Sequence, residues 1–215
     1  MSNIIQNFIK ISDDLSFISP APTIIAVSKT FPLSHIQPLI QHGHRVFGEN
    51  KVQEAKQKWS EIKNTIKDLE LHLIGGLQSN KAKEAVKLFD YIHSVDSLKL
   101  VKELAKAEET LLLKRKYFIQ VNIGNEKQKN GVSEENLSSL IESCNSYKLK
   151  VVGFMCIPPF NSDAVPFFLE LKKLNKQFGL PMMSMGMSSD FLEAAKLGST
   201  HVRIGSKIFG SRASQ

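Results

Sequence analysis

The chain has few of the residues that staple small scaffolds together. Only two cysteines occur, Cys144 and Cys156, with no CxxC pair, which argues against a disulfide framework or a structural zinc site. No apolar run approaches membrane-spanning length. The leading stretch MSNIIQNFIKISDDLSFI lacks a basic segment followed by a continuous apolar core, so it does not read as a signal peptide. A cytoplasmic location is the expectation. Ile4, Ile5, Phe8 and Leu15 suit one face of a leading N-terminal helix instead. No GxGxxG follows the first apolar run, which weakens a dinucleotide-binding open sheet. Zinc-finger spacings and an aromatic stacking strip are also missing. The net charge of +7 permits an anionic partner. In KVQEAKQKW and NKAKEAVKLF, however, the lysines alternate with acids and apolar positions, as on solvated helix faces. Nucleic acid and membrane are therefore not expected partners, and a small anionic ligand accounts equally well for the sign of the charge.

What the sequence does contain is alternation. With 215 residues, 42% of them hydrophobic, it can bury one sizeable core. Short β-branched or apolar runs recur at 23–28 (TIIAVS), 45–48 (RVFG), 71–75 (LHLIG) and 91–95 (YIHSV). They continue at 117–123 (YFIQVNI), 150–155 (KVVGFM), 182–185 (MMSM) and 201–204 (HVRI). The segments between read as helices. Val52, Ala55, Trp59 and Ile62 share one helical face, as do Ala82, Ala85, Val86 and Phe89 after a candidate N-cap at Ser79. Leu98, Val101, Leu104 and Leu111 mark another, and SSDFLEAAKLG has a serine start, early acids and Gly198 as its C′ residue. Gly43 closes the helix after the first strand. Strands alternating with helices require crossover connections and hence a parallel sheet. Eight such units without a long linker fit a single α/β domain over residues 1–215, a closed (β/α)₈ TIM barrel. The alternative is a doubly wound open sheet.

In such a barrel the active site lies where the strands' C-terminal ends meet. Alternation places Lys29 on the same side of the first strand as Ile25 and Val27. If that side faces the barrel axis, an apolar floor favours the neutral amine, a nucleophile suited to aldehydes. A lysine that snorkels to the rim or pairs with Glu49 is the competing reading, and spacing leaves both open. The stretch MGMSSDFLEAA sets Ser188 and Ser189 behind a glycine at a helix start, and Gly205 and Ser206 follow the last strand. Amide donors, hydroxyls and a helix dipole suit a phosphate, and barrels commonly bind one after strands 7 and 8. An ordinary N-cap fits the same serines. A lysine with a phosphate cradle suits pyridoxal 5′-phosphate (PLP) or a Schiff-base aldolase acting on a sugar phosphate.

The segments AVSKT, FGENKVQE, LHLIGGLQSNK, HSVDS, QVNIGNEKQKNGV, MCIPP, SMGMSSDFLEAAKLGST and VRIGSKIFG, in this order across residues 24–210, together resemble the YggS/PROSC family. These are PLP homeostasis proteins, single-domain fold-type III barrels akin to the N-terminal domain of alanine racemase. The resemblance implies that Lys29 holds PLP as an internal aldimine, with Asn50 beside its phenolic oxygen. It further implies that Ser188, Gly205 and Ser206 bind the phosphate and that Arg203 faces the pyridine nitrogen. Met155 and Met185 are implied near the ring. Gly76 departs from the proline usual in the family's GPLQSNK, and Ser206 stands where threonine is common.

A guanidinium keeps its proton, so Arg203 would leave the pyridine nitrogen unprotonated and weaken PLP as an electron sink. An Arg203 held in a rim ion pair is the alternative. A racemase needs acid–base groups on both faces of its substrate. Tyr91, Tyr117 and Tyr147 all precede their strands and should lie at the opposite end of the barrel, and no room remains for the racemase's β domain. The expectation is thus a PLP carrier with no assigned catalytic residue, monomeric, storing PLP or passing it to client enzymes. A PLP-dependent racemase is the alternative, with the aldolase and a nucleic-acid-binding module behind it. No metal site is expected: His42 and His44 flank a turn, while His72 and His93 read as satisfied interior groups. Cys156 reads as a small buried thiol or a redox-sensitive one. Residues 127–136, KQKNGVSEEN, read as a rim loop leading into a serine-started helix.

Overall fold

Helix α1 (Asn3–Ser16) leads, and its buried Ile4, Ile11 and Leu15 fall on one face. Strand and helix then alternate: β1 (Thr23–Val27), α2 (Leu33–Gln41), β2 (Val46–Glu49), α3 (Val52–Thr65), β3 (Glu70–Leu73), α4 (Ala82–Leu88), β4 (Tyr91–Val95), α5 (Leu98–Leu111). The second half continues with β5 (Lys116–Gln120), α6 (Glu134–Ser146), β6 (Lys150–Met155), α7 (Val165–Gln177), β7 (Met182–Met187), α8 (Phe191–Lys196), β8 (His201–Ile204) and α9 (Ser206–Phe209). This is a computed structural model, and it describes residues 3–126 and 130–210. Among them, eight parallel strands close into a barrel in sequence order, with Thr23 of β1 opposite His201 of β8 and Ala26 opposite Ile204.

Alternation along each strand sorts the side chains into two cores. Ala26, Phe47, Leu71, Ile119, Phe154 and Val202 face outward and pack with the helices, where Trp59, Phe89 and Phe168 are fully buried. Inside the barrel, Tyr91, Phe118, Val152 and Met155 form a smaller cluster. Rings of His72, His93 and His201 lie among them, His72 stacked on Tyr91 at 4.4 Å, His93 stacked on Phe118 at 4.3 Å and His201 edge-on to Phe118 at 5.3 Å. The outer core carries most of the apolar burial and so most of the hydrophobic drive.

Several boundaries differ from the periodicity for local reasons. The fifth strand ends at Gln120, not Ile123, because the Asn122 amide turns to donate to the Val132 carbonyl at 2.9 Å. Residues 79–81 form a 3₁₀ turn ahead of α4, so Ser79 does not cap an α-helix. In α5 the buried face runs through Leu100, Val101 and Leu104, while Leu98 stays exposed. Gly43 and Gly198 do take left-handed conformations just past their helices, with φ of 103° and 98°.

Candidate functional site

Lys29 leaves the end of β1 between two tethered neighbours. On the helix side, the Ser28 hydroxyl donates to Glu49 Oε1 at 2.7 Å. That same oxygen accepts from Lys58 Nζ at 2.9 Å and from Trp59 Nε1 at 2.9 Å. Lys58 also donates to the Ser28 carbonyl at 2.8 Å and pairs with Glu54 at 3.2 Å. Glu54 Oε1 in turn accepts the amide of Thr30, a residue held at φ 68°. Glu49 is fully buried facing outward, and its counter-ion is Lys58. Lys29 itself is half-buried and lines a cleft in the barrel mouth.

That cleft, about 570 Å³, gathers Lys29, Asn50, Ser188, Arg203, Gly205 and Ser206. Val27, Ile74, Ile157 and Met187 supply apolar walls, and Phe31 and Ser189 complete much of the rim. Met155 and Met185 do not line it. Met155 lies in the inward cluster with Tyr91 and Phe118, and Met185 packs outward into the helix-facing core. Met187 takes the cleft position because Gly186, at φ 91°, breaks the two-residue alternation where the β7–β8 register shifts. Asn50 is backed by Gly75, where an added Cβ would sit 2.3 Å from the Asn50 carbonyl oxygen. Gly75→Ala is therefore expected to push Asn50 from its place and to cost about 1–3 kcal/mol as overpacking, read in thermal denaturation.

The anion cradle is built differently from the sequence expectation. Helix α8 starts at Phe191 after Asp190, whose Oδ1 accepts the Met187 amide at 2.6 Å. Ser188 and Ser189 thus precede the cap. Instead, Ser188 Oγ accepts the amides of Gly205 and Lys207, at 3.3 and 3.5 Å, where β8 turns into α9. Ser188, Ser189, Gly205 and Ser206 all line the same cleft. A Cβ at Gly205 would stand 3.3 Å from the Val27 carbonyl oxygen, tighter than ordinary contact, so glycine keeps this wall open. The Lys207 ammonium lies over the Phe191 ring, 4.8 Å from its centroid.

Arg203 is 4% exposed. Its Nη1 donates to the Ser184 carbonyl and hydroxyl oxygens, both at 2.7 Å, and Nη2 donates to the Cys156 carbonyl at 2.8 Å. Among the described residues no carboxylate lies in ion-pair range of it, so these neutral acceptors, not a rim ion pair, hold it. Burial lowers its pKa from a starting value so high that it stays a cation. Burial also pushes the Cys156 thiol up to about 12, leaving it protonated and unreactive. His72 and His93 are fully buried and hydrogen-bonded to each other at 2.8 Å, as interior groups. His44 bonds the Val46 carbonyl and packs on Phe8. In the rim loop, residues 127–129 lie outside the described residues, and Ser133 stands at the N-cap position of α6.

Such a barrel, with a lysine, a guanidinium and amide-lined hydroxyls at its mouth, defines a protein equipped for a small phosphorylated carbonyl compound. More particularly, the family described as alanine racemase, N-terminal domain, matches residues 2–213, and the chain belongs to it. It is 39% identical over 199 residues to the pyridoxal phosphate homeostasis protein of Aquifex aeolicus, covering 88% of this chain and 86% of that one. To the protein of the same name from Escherichia coli it is 34% identical over 229 residues, covering 99% and 98%. PipY of Synechococcus elongatus, solved with PLP bound, superposes with a TM-score of 0.87 at 33% identity, over 96% of this chain and 100% of that one. Alanine racemase of Clostridium difficile shares the fold, with a TM-score of 0.77 at 15% identity, and the chain spans 57% of its length.

Proposed function

We propose that the chain binds pyridoxal 5′-phosphate at the barrel mouth and serves PLP homeostasis, storing the cofactor and releasing it to client enzymes. The observation that carries this is the meeting of Lys29, Arg203, Ser188, Gly205 and Ser206 in one cleft of about 570 Å³. The donor set matches the cofactor group by group. The glycine turn at Gly205 and the serine hydroxyls suit a phosphate, Arg203 suits a ring nitrogen that accepts a hydrogen bond, and Asn50 suits a phenolic oxygen. Val27, Ile74, Ile157 and Met187 suit the ring faces. When bound, PLP supplies an aldehyde that condenses reversibly with amines on an electron-withdrawing ring.

The chain's residues favour holding over turnover. Lys29 Nζ is the anchoring amine, and the tethers on Ser28 and Thr30 hold the backbone on either side of it. Arg203 keeps its own protons and offers none to the ring nitrogen, which restrains electron withdrawal. Of the three tyrosines, Tyr147 stands exposed at the end of α6 and does not line the cleft, and the other two are engaged elsewhere. Lys116 Nζ donates to the Tyr91 hydroxyl at 2.6 Å at the start of β4, and Tyr117 donates to Glu108 at 3.0 Å on the helix side. In this proposal the protein acts as a monomer, and Lys29 would yield the cofactor to water or to an acceptor amine.

The deciding experiment adds PLP to purified protein, removes the excess by desalting, and follows the visible absorbance band together with interconversion of L- and D-alanine. Retained absorbance with no racemisation above the protein-free rate is expected. Racemisation at an enzymatic rate would replace the carrier reading with the racemase. Failure to retain PLP would overturn both.

A further inference from the structure

The geometry points to Glu70, at the floor of the barrel, as a positioning residue for Arg203 at its mouth, acting through a file of hydrogen-bonded side chains up the barrel interior. Glu70 Oε1 lies 2.9 Å from His72 Nε2, and His72 Nδ1 lies 2.8 Å from His93 Nε2. His93 Nδ1 is 2.9 Å from Ser184 Oγ, which receives Arg203 Nη1 at 2.7 Å. The file draws on β3, β4, β7 and β8. Its consequence for a bound pyridine ring rests on the proposed function, but its existence does not.

The two ends fix the direction of every bond. A guanidinium can only donate and a carboxylate can only accept. Arg203 must therefore donate to Ser184 Oγ, and the Ser184 proton then goes to His93 Nδ1. His93 Nε2–H donates to His72 Nδ1, and His72 Nε2–H donates to Glu70. Each link is satisfied once with both imidazoles neutral and protonated on Nε2. The inverted order needs a protonated Glu70 and strands the Ser184 hydroxyl hydrogen. A cationic His72 would strand the same hydrogen. Burial opposes that cation, lowering the pKa of His72 and, further, of His93. Burial alone would raise Glu70, yet the His72 hydrogen bond and neighbouring positive charge outweigh it and hold the carboxyl below its usual value.

The guanidinium does not give up its proton, so the file carries polarisation and orientation, not a proton. Its lone pairs all point toward Arg203 and its N–H and O–H groups toward Glu70. It thereby serves the buried Arg203 charge as a remote counter-ion and fixes the Nη1 edge. Charge of this kind, set by an ordered network in a low-dielectric interior, acts more strongly than the same groups would in water.

The test is nitrogen-15 NMR of histidine-labelled protein without PLP, near neutral pH. In the wild type, His72 and His93 should both show the Nε2–H tautomer. In Glu70→Leu the direct order strands the His72 Nε2–H and the inverted order strands the Ser184 hydroxyl, so the two become comparable. His93, which does not touch residue 70, should then show both tautomers. Glu70→Gln keeps an acceptor and should restore the single form, and Asp68→Leu, which removes an exposed floor carboxylate, should leave it unchanged. Loading with ring-labelled PLP should move the pyridine nitrogen shift in Glu70→Leu and not in Asp68→Leu. An Nδ1–H tautomer of His93 in the wild type, or an unmoved His93 in folded Glu70→Leu, overturns the relay. If PLP does not bind at all, the proposed function falls while the histidine spectra still decide the relay.

Discussion

Lys29→Ala is expected to lose the visible absorbance band completely and to release pyridoxal phosphate during desalting, while keeping its fold. Among the candidate site residues, Lys29 alone offers a primary amine to the aldehyde. The rest of the cleft should still bind the cofactor reversibly, because Ser188, Gly205, Ser206 and Arg203 remain. Excess PLP should therefore still protect the variant in an equilibrium titration, but without the band. The fold should survive because the conformation at this point is held by its neighbours, Ser28 through Glu49 and Lys58, and Thr30 through Glu54. Ser188→Ala gives the complementary pattern. It should keep the band and weaken binding by about 1.5–3 kcal/mol, the usual value of a hydrogen bond to a charged group. Circular dichroism, the spectrum after desalting and a PLP titration distinguish the outcomes. A folded Lys29→Ala that keeps the band would move the anchor to another lysine.

The legible parts of this site lie where strand alternation runs without interruption. On β1 the two-residue period carries from Ile25 and Val27 to Lys29, and on β8 from His201 to Arg203, so the side on which each lies follows from counting, whereas its partners do not. The period also put Glu49 outward, since Phe47 on the same strand faces the helices, but position near the rim invites pairing it with Lys29. What settles its partner is α3, where Lys58 adjoins the buried Trp59 and reaches back to β2. A charged residue beside a buried tryptophan on a helix that follows a strand-end acid was the available signal. Met187 was hidden because Gly186 shifts the register, and no counting rule survives a bulge. Ser188, Ser189 and Asp190 are all good capping types. Only the fold shows that Asp190 takes that place and frees Ser188 to meet the amides after β8. The file from Glu70 to Arg203 needed more again. Inward positions on four strands can be read one strand at a time, whereas their meeting depends on the register of the closed barrel.

Lys58→Met is expected to produce the largest loss of stability, and the reason lies in the one-sidedness of the Glu49 site. The three donors, from Ser28, Lys58 and Trp59, converge on Oε1, and Oε2 is buried without a partner among the described residues. The carboxylate thus relies on a single cation, itself only 8% exposed. Replacing two buried charges by well-packed apolar groups can be neutral, but removing one leaves the other uncompensated and costs about 3–5 kcal/mol. At roughly 2–4 °C per kcal/mol for a chain of this size, the melting temperature should fall by roughly 6–20 °C. Glu49→Gln keeps an acceptor for Trp59 and Ser28 without the charge, so adding it to Lys58→Met should recover much of the loss. A double-mutant cycle measured by thermal denaturation reads this directly, since the two residues are in contact and their effects should couple. Strict additivity, or a Lys58→Met protein as stable as the wild type, would show that Glu49 finds its stabilisation elsewhere. The same variant connects stability to the site. Lys58 also holds the Ser28 carbonyl, one residue before Lys29, so PLP retention should weaken in Lys58→Met even at temperatures where it is fully folded.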